Sequence, residues 1–189
     1  MHDIATNTTS SANLTTSTKP TDAAPNTTRA ALSPLRECLS FRLGCEEYAM
    51  DILKVQEIRG YEPSTRVVGA EDFVKGVLNL RGVIVPIFDL RMKFGMREVQ
   101  YNALTVTIIL KLDRRIVGVV VDAVSDVIEL TPEQIKAAPA FDGHVDASCV
   151  IGIASIADTL AQKDRMLILL DVEMLMLDPS MGLVEQTLQ

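Results

Sequence analysis

The chain has no tryptophan, and aromatic residues make up only 4% of its 189 positions. Large rings therefore cannot fill its interior. A core must rest on Val, Ile, Leu and Met, whose β-branched members favour strands. Histidine is nearly missing too: His2 falls in a polar N-terminal stretch and His144 in a polar loop. A histidine-centred metal site is therefore not expected, and both are read as ordinary surface residues. The three cysteines, Cys38, Cys45 and Cys149, form an odd set without a C-x-x-C spacing. That argues against a disulfide framework or structural zinc and fits reduced thiols.

Long apolar runs are also lacking. Stretches such as Val117 to Val121 fall far short of the roughly 20 residues that span a bilayer. The first residues contain neither the basic nor the apolar region of a secretory signal. The protein is therefore expected to be soluble and to stay inside the cell. A net charge of -7 sets the average surface against nucleic acid and anionic membranes.

Catalytic signatures are missing as well. There is no G-x-S-x-G elbow, P-loop, dinucleotide-binding glycine pattern or H-E-x-x-H. The acidic pairs Glu46-Glu47 and Glu71-Asp72 are expected in turns, as solvated charge. Cys149 precedes an apolar strand and reads as a small buried hydrophobe. No catalytic residue, cofactor or metal ligand is expected.

What is present suits one compact β-rich domain: 48% of the chain is hydrophobic. Residues 1–35 are rich in Thr, Ser, Ala and Asn and cannot offset their ordering entropy by burial. They are expected to form a disordered tail, followed by a domain over 36–178 and an extension over 179–189.

Within the domain, alternation predicts three hairpins. The first pairs Leu39–Leu43 with Tyr48–Ile52, and the second Val77–Leu80 with Val83–Phe88. The third pairs Leu104–Leu110 with Ile116–Val121, and Val127–Leu130 adds a further strand. Pro86 has no amide donor, so its strand is expected at an edge or bulge. Helices are few and short. Asp89 and Asp171 are placed to cap two of them, and Thr131-Pro132-Glu133-Gln134 reads as the start of one turn.

The segment Gly76–Leu90 has a weak echo in Gly152–Val172. In each, a glycine-led strand is followed by a return strand and an aspartate-capped helix start. Two similar small β units folded together would explain this, and short strands bounded by turns favour closed barrels.

The candidate binding surface lies in Val55-Gln56-Glu57-Ile58-Arg59 and Asn79-Leu80-Arg81-Gly82. An arginine beside a glycine in a tight turn can present guanidinium and backbone to a partner. It can equally pair with a carboxylate such as Glu57 and hold two elements together.

These segments resemble the CheW family. The resemblance rests on Tyr48–Ile52, Val55–Ile58, Gly76–Arg91 with Phe94-Gly95, Gly118–Val127 and Leu169–Asp171, and covers roughly residues 37 to 177. Asn-Leu-Arg-Gly followed by Pro-x-x-Asp-Leu-Arg is its most specific part. The loop Val67–Asp72 departs from the pattern, having no proline, so its conformation is less preset.

The resemblance implies a mainly β fold: two five-stranded SH3-like barrels sharing a hydrophobic core. It implies a non-enzymatic adaptor between the regulatory domain of the histidine kinase CheA and the cytoplasmic tips of chemoreceptors. Such a protein would be cytoplasmic and recruited to arrays at the inner face of the membrane. Val55, Ile58 and Leu80 are expected to supply apolar contact with the receptor, and Glu57, Asn79 and Arg81 to position it. Two other classes remain open: an enzyme or small-molecule sensor using a barrel mouth, and a nucleic-acid-binding small barrel, which the acidic balance disfavours.

Overall fold

The structure is a computed structural model and describes residues 37–113, 115–138, 147–158 and 163–181. The predicted tail over 1–35, His144 and most of the C-terminal extension lie outside the described residues. Eleven strands occur among them: β1 Glu37–Leu43, β2 Glu46–Asp51, β3 Val55–Gly60, β4 Val74–Leu80, β5 Val83–Asp89, β6 Val106–Leu112, β7 Arg115–Val121, β8 Ala123–Glu129, β9 Ile135–Lys136, β10 Val150–Asp158 and β11 Lys163–Leu170. Two short helices follow β5 and β11: α1 Leu90–Lys93 and α2 Val172–Leu177.

The strands form two sheets. The first has the order β8-β1-β2-β11-β10-β9 and the second β3-β6-β7-β5-β4. The second is made from one continuous stretch of chain, whereas the first takes β1 and β2 from the start and the rest from the end.

The two sheets share one topology. An antiparallel hairpin joined edge-on to a parallel partner occurs twice: β6/β7 with β5, and β1/β2 with β11. The echo seen in the sequence is real at the level of single residues. The β4–β5 ladder slips between Val74 and Gly76, and the β10–β11 ladder between Val150 and Gly152. A neighbouring segment crowds each glycine: a Cβ on Gly76 would lie 2.0 Å from the Thr65 carbonyl oxygen, and one on Gly152 2.5 Å from that of Lys136. The neighbours correspond as well, β9 pairing with β10 as the lone Thr65–Val77 bridge pairs with β4. Five strands per half are thus matched, and β9 is the one that lengthens into a sixth.

Strand pleating sends alternate side chains to different cores. Leu39, Phe41 and Leu43 from the first sheet meet Phe88, Ile108, Leu110, Val117, Val119 and Val121 from the second in one shared cluster. The intervening positions fill a smaller cluster inside each sheet, Cys38, Ala49, Leu167 and Leu169 in one and Val85, Ile87 and Val120 in the other. The helices close the shared core: Asp89 accepts from the Arg91 amide, and Asp171 from those of Glu173 and Met174, so each caps its helix as expected.

Three expectations need correction. The strand holding Pro86 is not at an edge, because β5 lies between β7 and β4. The proline is tolerated because the β5–β7 ladder begins only at Ile87. Leu104 and Thr105 do not start β6. Asn102 closes a turn there, its side chain accepting from the Leu104 amide at 2.8 Å, and leaves Leu104 exposed. Glu46 and Glu47 belong to β2, not to the turn, and Glu47 is forked by Arg165.

Candidate functional site

The hairpin turn between β4 and β5 is two residues long, Arg81 and Gly82, and Leu80 pairs directly with Val83 across it. A two-residue turn that follows strand twist needs positive φ at its first central residue, and in one of its two forms at both. Gly82 takes it at 90° without strain, and Arg81 takes it at 53°, alone among the described non-glycine residues. Asn79 explains how the turn holds: its side-chain oxygen accepts from the Gly82 amide at 2.8 Å.

The turn puts the Arg81 side chain almost wholly in solvent, 86% exposed, yet Nη2 reaches Glu57 Oε2 at 3.3 Å. Glu57 comes from β3, at the opposite end of the sheet order from β4. The sheet therefore curls until its two ends meet, and the arginine–glutamate pair clasps them. The pairing with Glu57 raised by the sequence is thus present, and the guanidinium stays exposed at the same time. A groove lies under the clasp, lined by Gln56, Leu80, Val83, Val85 and Ile116.

The six expected residues do not form one patch. Glu57, Leu80 and Arg81 are brought together, with Asn79 shaping the turn behind them. Ile58 is 44% exposed but points to the other side of β3, since burial alternates along that strand. Val55 packs against the shared core and presents little surface. The segment holding them is itself a strand, paired with β6 through a bulge between Val55 and Glu57.

Two further clusters escaped the sequence. On the first sheet, Arg165 reaches Glu47 at 2.9 Å through Nε and Asp126 at 3.1 Å through Nη1. This joins β11 to β8 across two intervening strands, as Arg81 and Glu57 join the ends of the second sheet. The other cluster surrounds Arg91, which is 1% exposed. Its Nε and Nη2 fork the Asp89 carboxylate at 2.9 and 2.7 Å, and Nη1 donates to Asp122 at 2.7 Å and to the Gln100 carbonyl at 2.8 Å. Burial works against this charge, but the bonds to Asp89 and Asp122 outweigh it and hold Arg91 above its ordinary pKa. Tyr101 donates to Asp89 at 2.9 Å, and burial together with that bond pushes its phenol up to about 12. The only sequence signal was an aspartate two residues before an arginine; Asp122, on a distant strand end, could not be foreseen.

No cluster of metal-ligating side chains occurs among the described residues. Among them, no helix is long and apolar enough to cross a membrane. Burial, and then Asp51, pushes the Cys38 thiol up to about 11, far from the range of a reactive thiolate.

A family model described as the CheW-like domain matches residues 37–179, which takes in both sheets and both helices. The chain belongs to the CheW family. It is similar to the chemotaxis protein CheW of Klebsiella aerogenes, with 51% identity over 79% of this chain and 87% of the relative. It is 36% identical to the probable chemotaxis protein CheW of Rhizobium etli, over 74% of this chain and 86% of that one. Among solved structures it resembles the scaffolding protein TtCheW of Thermoanaerobacter tengcongensis. The TM-score is 0.64 at 29% identity, covering 72% of this chain and 84% of that one. The CheW-type pair of SH3-like units expected from the sequence is the fold observed.

Proposed function

We propose that this CheW-family chain is a non-catalytic adaptor that couples chemoreceptors to the histidine kinase CheA. One contact is with the CheW-like regulatory domain of the kinase and another with the cytoplasmic tip of the receptor, so that a ternary array assembles. It acts in the cytoplasm, at the inner face of the membrane. The observation that carries the reading is the Arg81 turn, in which a positive φ presents an exposed guanidinium above an apolar groove.

An amphipathic receptor helix needs an apolar groove with a few polar anchors. Leu80 and the groove beneath Arg81 supply the first, and Glu57 with Arg81 the second; Ile58, exposed on the other side of β3, offers a separate apolar contact. Asn79 and Val55 act from behind, one through the turn and the other through the core. The adaptor biases the kinase between conformations by differential contacts and performs no chemistry of its own.

The test is a titration of this protein into purified CheA, with and without receptor-containing membranes, reading kinase autophosphorylation. Binding with receptor-dependent control of activity is the expected result. A protein that binds neither partner and leaves activity flat sinks the reading.

A further inference from the structure

We infer that Arg91 is a positioning residue, which fixes the sheet carrying the Arg81 turn at one angle to the other sheet. This rests on the adaptor reading and deepens it, because an adaptor transmits a signal between two partners only if its two halves keep one geometry.

The apolar core joins the sheets, but apolar contact is non-directional and tolerates small slides. Charged hydrogen bonds have direction, and three of them run in series here. Arg91, at the end of the second sheet, is held rigidly by the two-pronged contact with Asp89. Its Nη1 then grips Asp122 Oδ1 at 2.7 Å. Asp122 sits where the chain passes from β7 of the second sheet to β8 of the first, and its other oxygen accepts from the Gly44 amide at 2.7 Å. Gly44 is in the β1–β2 turn of the first sheet. The Asp122 amide adds a bond to the Arg42 carbonyl at 3.1 Å.

The loop between α1 and β6 closes over this chain of contacts. Gln100 accepts from Arg91, Tyr101 lies 4.7 Å from the guanidinium, and Met96 sits against Gly44, 3.3 Å from where a Cβ would be. Four acceptor contacts suit a guanidinium with five donors; a lysine ammonium, with three, cannot satisfy them.

The experiment uses the full chain with Arg91→Lys and, separately, Asp122→Asn. The second leaves the Arg91–Asp89 fork intact and weakens only the tie to the first sheet. Spin labels at Lys111→Cys on β6 and Ser155→Cys on β10, with Cys45→Ser, report the distance between the sheets. Cys38 and Cys149 are buried and stay unlabelled. A single narrow distance is expected for the parent and a broadened or shifted one for both variants. Separate affinities for kinase and receptor should stay within about twofold, while receptor-dependent kinase control falls about tenfold.

An unchanged distance distribution in a folded variant overturns the inference, and so does unfolding of both variants, which would make the contact one of stability alone. If the parent protein itself fails to control the kinase, the adaptor reading falls, and the distance measurement still decides the role of Arg91.

Discussion

At the scale of single residues, Arg81 separates two contributions that usually come together, backbone strain and side-chain contact. Arg81→Gly relieves the positive φ and keeps the turn, so stability should hold or rise by about 0.5–1 kcal/mol. Partner affinity should fall to that of Arg81→Ala. A melting curve beside a binding titration checks both, and unchanged binding in the glycine variant would place the affinity in the turn backbone. Cys38 predicts a pH dependence. Burial, and then Asp51, pushes its thiol up to about 11, above the ordinary 9.0 of a thiol, so the native state holds the proton more tightly. The stability this provides is complete below pH 9 and is lost as pH rises towards 11. Cys38→Ala should flatten that alkaline loss in denaturant titrations at several pH values.

At the scale of elements, the two halves are built by the same devices. Gly76→Ala should cost about 2–4 kcal/mol, since the added Cβ meets the Thr65 backbone and φ is 134°. Gly152→Ala meets Lys136 similarly but without the positive φ, and should cost less. Chemical denaturation of the two variants gives the order, and a larger loss at Gly152 would contradict it. The two helix caps differ in their burden. Asp171 only caps α2, so Asp171→Ala should cost about 1 kcal/mol. Asp89 caps α1 and also holds a buried guanidinium, so Asp89→Ala should cost about 3–5 kcal/mol by leaving Arg91 unpaired. The hairpins and the aspartate caps were legible in the sequence, because alternation and capping are local. The strand character of Val55–Gly60 was not, because only its pairing with β6 reveals which face of it is covered.

At the scale of the whole molecule, the shared core ties the halves into one cooperative unit. Residues from both sheets fill a single cluster, and α2 is tied to the turn before β3 by Lys54–Glu173 and to α1 by Lys93–Asp178. Calorimetry should therefore show one transition, with calorimetric and van't Hoff enthalpies in agreement. Two resolved transitions would mean that each half is stable alone.

The sequence by itself determined the class and the family: no rings for a large aromatic core, short alternating strands, two aspartate caps and the Asn-Leu-Arg-Gly turn. Each of these is a local property, settled by neighbours within a few residues. Only the tertiary structure decided that Arg81 clasps Glu57, that Val55 faces the core while Ile58 faces out, and that the strand of Pro86 runs inside a sheet. It alone joined Arg91 through Asp122 to Gly44. Those outcomes depend on which distant strand lies alongside, and parallel pairing and sheet curl bring together residues that no spacing in the chain relates.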